Sequence, residues 1–159
     1  MEITIEPMTL SDMAAILAGL DRFWDGRDTR FLHQKVLVQE FGDTCLTARG
    51  PDGEIAGYLI GFPAPRGLGY IHAVAVRDSA RGTGCGQALY QAFAAAAAAH
   101  GADRLKAITS VTNTGSVAFH RRLGFDVIRV EDYDGPGKPM MVMTRPLPWK
   151  SASASPGPS

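Results

Sequence analysis

The sequence predicts a mixed α/β fold, with a central mixed β-sheet of about seven strands flanked by about four helices. Apolar segments on either side of Gly50-Pro51-Asp52-Gly53 indicate two strands joined by a tight turn. Farther along, a strand at 68–76, an alanine-rich helix from about 84 to 100 and a strand at 104–109 form a β-α-β unit. The two strands of such a unit should be parallel and joined by a right-handed crossover.

The remaining elements follow from hydrophobic periodicity and from residues that break it. Alternating apolar residues predict a first strand at 3–5. Thr9 or Ser11 can cap a helix whose apolar residues recur at helical spacing up to Leu20. The other expected elements are a helix at 31–41, strands at 45–49 and 54–62, a helix at 116–123, and strands at 125–130 and 140–145.

The composition is typical of one globular domain. The chain has 159 residues, of which 45% are hydrophobic and 20% are charged. A chain of this length can bury about two-thirds of its unfolded surface. We expect a single domain over 1–148 and a disordered, low-complexity tail over 149–159.

Charge and cysteine content exclude several classes of function. Sixteen basic and sixteen acidic residues cancel, which argues against nucleic acid as a partner. The two cysteines, Cys45 and Cys85, supply neither a disulfide framework nor a metal site, so no metal is expected. No apolar run could span a bilayer, and the N-terminus lacks a signal-peptide pattern. These observations predict a cytoplasmic protein without a membrane partner.

The most informative segment joins the strand at 68–76 to the long helix. It is basic and rich in glycine, with the sequence Arg81-Gly82-Thr83-Gly84-Cys85-Gly86-Gln87. Glycines let main-chain N–H groups approach a ligand closely, because no Cβ intervenes. The dipole of the following helix adds partial positive charge at the same point. The segment therefore favours binding of phosphate oxygens.

Two common nucleotide-binding patterns do not fit this segment. A P-loop needs Lys and then Ser or Thr after its last glycine, whereas Gly86 is followed by Gln87 and Ala88. A dinucleotide fingerprint needs a glycine three places after Gly84, where Gln87 stands. The residue identities thus disfavour ATP and NAD as ligands.

The spacing Arg81-x-x-Gly84-x-Gly86 after a strand resembles the acyl-CoA pyrophosphate loop of the GNAT superfamily of N-acyltransferases. The segment from Asn113 to Phe125 resembles the family's other signature, which has an Asn after the fifth strand, a small residue, an aromatic residue and a closing Gly-Phe. Both stand in the family's order, and the resemblance covers about residues 1–146. It implies a GNAT-like sheet and transfer of an acetyl group from acetyl-CoA to a primary amine by direct attack in a ternary complex.

The same resemblance implies the residues that bind acetyl-CoA. Main-chain N–H groups at the end of the strand would hold the acyl oxygen and pantetheine, and the glycine loop would hold the diphosphate. Asn113 would bond the pantetheine arm, cap the following helix, or do both. The expected contacts are Val74, Ala75, Val76, Arg81, Gly82, Thr83, Gly84, Cys85, Gly86, Gln87 and Asn113.

Two of these residues and three basic residues elsewhere have further interpretations. Arg81 is expected mainly to order the loop, and Cys85 to be a small buried hydrophobe. Basic side chains could meet the 3′-phosphate of CoA, although exposed basic residues are usually only solvated. The candidates for that contact are Lys106, Arg121 and Arg122.

Two histidines are the predicted catalytic residues. His120 stands where the family usually has a Tyr that protonates the departing thiolate. An imidazolium can donate a proton at neutral pH; alternatively, His120 is a semi-buried helix residue and water is the acid. His72 and Tyr70 are candidates for accepting the amine proton. His72 alternates with Val74 and Val76, so it equally fits a histidine of the core or rim.

The acceptor is the least defined part. Acidic and aromatic side chains in two loops would suit a cationic amine of a small molecule or a peptide, although solvated surface loops have the same composition. These residues are Phe23, Trp24, Asp25, Asp28, Glu131, Asp132, Tyr133 and Asp134. A homodimer is a candidate assembly. The alternative function is an acyl-CoA-binding sensor or regulatory subunit without turnover, because the usual Tyr is absent.

Overall fold

The computed structural model describes residues 2–150 as a seven-stranded mixed sheet with helices on both faces. The strands are β1 (Thr4–Pro7), β2 (Leu46–Arg49), β3 (Ile55–Ala64), β4 (Leu68–Val76), β5 (Arg104–Ser110), β6 (Asp126–Val130) and β7 (Met140–Pro146). The helices are α1 (Leu10–Ala18), α2 (Asp21–Trp24), α3 (Lys35–Phe41), α4 (Cys85–Ala99) and α5 (Thr114–Arg122). Of the tail expected at 149–159, Trp149 is described and packs against the core on the side of α4, and residues 151–159 lie outside the described residues.

The predicted mixed sheet and its β-α-β unit are confirmed. The strand order is β1-β2-β3-β4-β5-β7-β6. β4 and β5 run parallel on either side of α4 in sequence, and the other neighbouring pairs are antiparallel. All seven strands lie where hydrophobic alternation predicted them, within a few residues at their ends.

The helices differ from the predictions in three places. The helix expected at 31–41 begins only at Lys35, because Gln34 is extended; Phe31 lies in a separate 3₁₀ turn and is 69% exposed. α5 begins two residues early, because Asn113 Oδ1 accepts a hydrogen bond from the Ser116 N–H at 3.2 Å and caps the helix. α2 is a fifth, four-residue helix that periodicity cannot detect.

Two hydrophobic cores cover the two faces of the sheet. On one face α4 buries Leu89 and Phe93 against Leu105 of β5. On the other face Met13 and Ile16 of α1 pack towards Tyr58 and Ile60 of β3, together with Val38 of α3. Burying a large apolar side chain stabilises a fold by about 1.5–3 kcal/mol. The central strands are therefore fixed from both sides.

The parallel pairing of β4 and β5 stops halfway along β4. The ladder extends from Leu68 and Arg104 to Ile71 and Ala107. Beyond that pair, β4 continues to Val76 and β5 continues to Ser110, but their residues no longer pair with one another. The main-chain groups on this edge of residues 72–76 are therefore left without a β5 partner, as the family resemblance implies.

A β-bulge interrupts the regular alternation of β4 at His72. Ile60 pairs with Ala73, and Gly61 pairs with Ile71, so His72 is an extra residue on β4. His72 contacts Leu32 on the side of α1 and α3, and Ala73 belongs to the core on that side. Val74 and Val76 pack against the α4 core instead. The expectation that His72 alternates with them on one face is thus corrected, because the bulge moves its side chain.

The close packing of β3 on α4 gives a stability prediction. A Cβ on Gly61 would lie 2.6 Å from Cε1 of Phe93, whose ring is fully buried. We expect Gly61→Ala to lower the free energy of unfolding by about 1–3 kcal/mol, measured by denaturant titration, because the ring has no free space.

Gly115→Ala is the matched control for this variant. Nothing lies within 4 Å of a Cβ at Gly115, which is in α5. We expect this change to leave stability within about 1 kcal/mol or to raise it slightly. Equal stability of the two variants would contradict the packing of Phe93 on β3.

Candidate active site

A cavity of about 810 Å³ lies at the carboxyl end of β4. The end of α2, the end of β4, the glycine loop and one side of α5 form its walls. Ten of the eleven predicted acetyl-CoA contacts line it, all except Thr83. These ten are Val74, Ala75, Val76, Arg81, Gly82, Gly84, Cys85, Gly86, Gln87 and Asn113.

The three glycines of the loop have different structural roles. Gly82 and Gly84 have φ angles of +77° and +85°, a region in which side chains are strained, and nothing lies within 4 Å of a Cβ at either. They are required by the backbone path. A Cβ on Gly86 would instead lie 2.9 Å from Cζ of Phe119. Gly86 therefore allows α4 to approach α5 closely.

The N-terminus of α4 presents hydrogen-bond donors at this cavity. Gly84 is the N-cap and offers no side chain, and the first main-chain bond of the helix runs from the Ala88 N–H to the Gly84 carbonyl. Among the described residues, no carbonyl or side chain accepts from the N–H groups of Cys85, Gly86 and Gln87. These donors and the helix dipole act together, so the site favours an anion.

Arg81 connects the loop to two other elements. Its Nη1 lies 3.2 and 3.1 Å from the carboxylate oxygens of Asp25, and its Nη2 donates to the Phe23 carbonyl at 3.1 Å. Its Nε donates to the Val76 carbonyl at 3.3 Å. This arrangement agrees with the expectation that Arg81 orders the loop, and Asp25 balances its charge.

Asn113 and Cys85 take structural positions at the cavity wall. Besides capping α5, Asn113 donates from Nδ2 to Thr109 Oγ1 at 3.1 Å. Cys85 is 1% exposed. A Cβ on Gly57 of β3 would lie 2.9 Å from the Sγ of Cys85, so the thiol packs closely on that strand. Burial raises the pKa of the Cys85 thiol, so the side chain is a neutral, apolar contact.

His120 lines the cavity but has both ring nitrogens engaged. Its Nδ1 lies 2.7 Å from the Ser116 carbonyl, which can only accept, so Nδ1 carries the proton. Its Nε2 then accepts from the hydroxyl of Tyr90 at 2.5 Å. Burial lowers the pKa of His120 and raises the pKa of Tyr90. The pair is therefore neutral. Sequence reasoning missed Tyr90, whose only signal is a polar group on the sheet-facing side of an apolar helix.

His72 does not line this cavity. It lies next to the last β4–β5 pair, on the face covered by α1 and α3, with its ring centroid 6.0 Å from that of Phe62. Its Nε2 donates to the Leu32 carbonyl at 3.0 Å, which leaves the lone pair on Nδ1. Burial lowers the pKa of His72. The nearby Tyr70, 5.7 Å from Phe62 between ring centroids, has its pKa raised by burial.

The two loops expected to border the acceptor do not meet at the cavity. Phe23, Trp24 and Asp25 line it, but Asp28 and residues 131–134 do not. In the later loop Glu131 pairs with Arg129, the Asp132 carboxylate accepts from the Gly137 N–H, and Tyr133 lies 5.1 Å below the ammonium of Lys106.

Two of the three candidates for the 3′-phosphate lie together, and the third is elsewhere. Arg121 and Arg122 line a second cavity of about 850 Å³, which shares Gln87, Arg122 and Leu123 with the first. Lys106 lies over Tyr133 instead.

A buried hydrogen-bonded chain that the sequence did not reveal holds Trp24. Its indole Nε1 donates to Tyr58 Oη at 2.6 Å, and His33 Nε2 lies 2.7 Å from the same oxygen. His33 Nδ1 donates to the Thr29 carbonyl at 2.7 Å. Burial lowers the pKa of His33 and raises the pKa of Tyr58. Only the aromatic character of residues 23 and 24 hinted at this arrangement.

Residues 2–150 contain neither a metal-binding cluster nor a membrane-spanning helix. No group of three His, Cys, Asp or Glu side chains there could hold a metal ion. No helix in the same range is long and apolar enough to cross a membrane.

Comparisons with known proteins agree with this geometry. The model of the Acetyltransferase (GNAT) family matches residues 14–125. An L-methionine sulfoximine/L-methionine sulfone acetyltransferase of Pseudomonas paraeruginosa is 37% identical over 91 residues, which are 54% of this chain and 52% of that protein. A protein of the same name from Pseudomonas aeruginosa matches equally. The chain thus aligns with about half the length of these relatives.

Solved structures share the fold. Ard1 from Thermoplasma volcanium superposes with a TM-score of 0.75 at 18% identity, covering 92% of this chain and 99% of that one. The NatC complex bound to Gag peptide and CoA contains a chain with a TM-score of 0.71 at 19% identity, covering 93% of this chain and 100% of that one. Because the family model spans well over half of the sequence, the chain belongs to the GNAT acetyltransferase family.

Proposed function

We propose that the chain is an N-acetyltransferase that moves an acetyl group from acetyl-CoA to a primary amine of a small molecule or peptide. One observation supports this most. The uncapped N-terminus of α4, the glycine loop and the unpaired end of β4 line a single cavity of about 810 Å³. The N-terminus of α4 offers N–H donors for a diphosphate. The unpaired edge of β4 next to it offers main-chain groups that can bond the amides of pantetheine.

The residues present fit acetyl-CoA along its length. The N–H groups of Cys85, Gly86 and Gln87 would hold the diphosphate, because they have no other acceptor and lie at the helix dipole. The free edge of residues 72–76 would pair with the pantetheine amides and hold the acyl oxygen. Arg121 and Arg122, which line the adjoining cavity, would meet the 3′-phosphate. The reactive thioester is what acetyl-CoA supplies when bound.

The proposed reaction needs positioning and one proton acceptor. The amine nitrogen attacks the thioester carbonyl, the C–N bond forms and the C–S bond breaks. The amine gives up a proton, and the sulfur leaves as a thiolate that takes one up. His72 is our candidate acceptor for the amine proton, directly or through water, because it directly follows the last β4–β5 pair and its Nδ1 has no partner among residues 2–150.

The hydrogen bonds favour the structural role for His120 over the role of general acid. Its only proton is donated to the Ser116 carbonyl, and its lone pair is occupied by the Tyr90 hydroxyl. We propose that His120 and Tyr90 shape the cavity and that water protonates the thiolate.

The acceptor class rests on the relatives. The Pseudomonas relatives are named for amino-acid analogues, and the NatC structure contains a peptide. Both kinds of molecule contain amines. Trp24 also lines the cavity, with the guanidinium of Arg27 5.4 Å from the centroid of its ring.

The glycine loop allows a direct test of the function. Wild type should bind acetyl-CoA in calorimetry and release thiol in the presence of at least one of a panel of primary amines. Gly84→Ala should weaken acetyl-CoA binding by about 10-fold or more, because the left-handed backbone at φ +85° disfavours a Cβ by about 1–2 kcal/mol and the loop must shift.

The control is Gly101→Ala. Gly101 has φ +90° with nothing within 4 Å of a Cβ, but it lies after the other end of α4. Gly101→Ala should lower the free energy of unfolding about as much as Gly84→Ala does. Its affinity for acetyl-CoA should equal that of wild type. Failure of wild type to bind acetyl-CoA or CoA would overturn the function. Binding without thiol release for any amine would favour the sensor instead.

The role of His120 is tested by substitution. With a working acceptor, His120→Tyr and His120→Ala should keep turnover within about 10-fold of wild type, since a general acid is worth about 10²–10⁴-fold. Turnover and its pH profile would be measured for both. A loss of about 10²-fold in His120→Ala that His120→Tyr restores would assign the general-acid role to this position.

The role of His72 is tested through pH. Because burial lowers its pKa, His72 is neutral and able to accept a proton at and above pH about 6.5, and the rate should fall as pH drops through its pKa. His72→Gln should lower kcat/KM by about 10²-fold near pH 7, and less near pH 9 where more of the acceptor amine is already deprotonated. An unchanged profile would exclude His72 as the base.

A further inference from the structure

We infer that Trp24 determines the length of the acyl group that the cavity accepts, and that Tyr58 and His33 hold it in place for this purpose. This inference rests on the proposed function, because it assumes that the cavity holds an acyl-CoA. It goes further by assigning a specificity-determining residue and the positioning residues behind it.

The indole lies across from the segment of β4 where the acyl carbonyl is expected. Trp24 lines the cavity together with Val74, Ala75 and Val76. Its N–H is bonded to Tyr58, and Tyr58 is the register partner of Ala75 on the neighbouring strand. Trp24 and Ala75, which lies beyond the last β4–β5 pair, therefore line the same part of the molecule. A longer acyl group would extend into the space that the ring occupies.

The direction of every hydrogen bond behind the indole is determined. An indole can only donate, so Tyr58 Oη accepts from Trp24 and must give its own proton to His33 Nε2. His33 then carries its proton on Nδ1, where the Thr29 carbonyl accepts it. Tyr58 is 0% exposed and His33 is 5% exposed. Moving the indole would leave a buried hydroxyl oxygen with one partner fewer, which is costly.

Ring packing and a second tether limit the movement of α2. Tyr58 has edge contacts with Phe23 and His33, at centroid distances of 5.0 and 5.5 Å. Arg81 donates to the Asp25 carboxylate and to the Phe23 carbonyl, which belong to the two residues on either side of Trp24 in sequence. The residues before and after Trp24 are thus both held by Arg81. A rigid aromatic wall discriminates by size, because it cannot retreat without losing these contacts.

The distribution of polar contacts separates this role from simple packing. The chain fixes the orientation of the indole as well as filling space. Tyr58, His33 and Thr29 do not line the cavity, so a change at Tyr58 should affect the ligand only through the indole. This separation makes the inference testable independently of general CoA binding.

The test is calorimetric titration with CoA, acetyl-CoA, butyryl-CoA and octanoyl-CoA. Wild type should bind acetyl-CoA at least about 10-fold more tightly than octanoyl-CoA, since misfit of a methylene or more costs about 10–200-fold. Trp24→Ala should reduce that preference to about 3-fold or less. Tyr58→Phe, which keeps the ring but removes the hydroxyl that holds the indole, should give an intermediate preference.

Controls separate a local effect from misfolding. Phe31→Ala removes another aromatic ring, one that is 69% exposed outside the cavity, and should match wild type throughout. For each variant the affinity for an acyl-CoA is divided by the affinity of the same variant for CoA itself, so that a general change in CoA binding does not count as a change in acyl preference. Trp24→Phe, which keeps a ring but cannot donate to Tyr58, replaces Trp24→Ala if the latter fails to fold.

The outcomes distinguish the two proposals. Absence of CoA binding in wild type would overturn the proposed function. CoA binding with equal affinity for all chain lengths, or an unchanged preference in both Trp24 variants, would overturn the role of Trp24 alone. A preference that falls in the Trp24 variants but not in Tyr58→Phe would keep the aromatic wall and exclude the role of Tyr58 in holding it.

Discussion

The site depends on the separation of two parallel strands. After Ile71 and Ala107, β4 and β5 no longer share hydrogen bonds, yet both continue for several residues. Polar main-chain groups without partners are costly unless something else satisfies them. The helix that joins the strands, α4, begins at this opening. The same topological feature therefore creates an edge for amides and places the donors of a helix N-terminus beside it.

Arg81 connects the elements that surround this opening. Glycines give the loop its path, but they also leave it free to move, and the loop needs a constraint from elsewhere. Arg81 supplies one by bonding the Val76 carbonyl of β4, the Phe23 carbonyl of α2 and the Asp25 carboxylate. The ends of the cavity that would meet the diphosphate and the acyl group are thereby ordered together.

Sequence predicted the parts of the molecule that local patterns encode. Alternation and helical spacing located the strands and most helices, and glycine spacing located the loop whose N–H groups lack acceptors. The β-bulge at His72 was missed, because one extra residue leaves no trace in apolar alternation. The pairs Trp24–Tyr58 and Tyr90–His120, 34 and 30 residues apart, were missed because such pairing depends on how distant elements pack. The position of residues 131–134 outside the cavity depends on the same kind of packing.

The three buried or half-buried histidines differ in what their nitrogens are free to do. His33 and His120 each donate a hydrogen bond to a carbonyl and accept one from a buried tyrosine hydroxyl. Both rings are therefore neutral, and both of their nitrogens have partners. His72 gives its proton to the Leu32 carbonyl and has no tyrosine on its other nitrogen. Burial disfavours the charged form of all three. A neutral ring with an available lone pair is what acceptance of a proton requires, and only His72 of these three provides it.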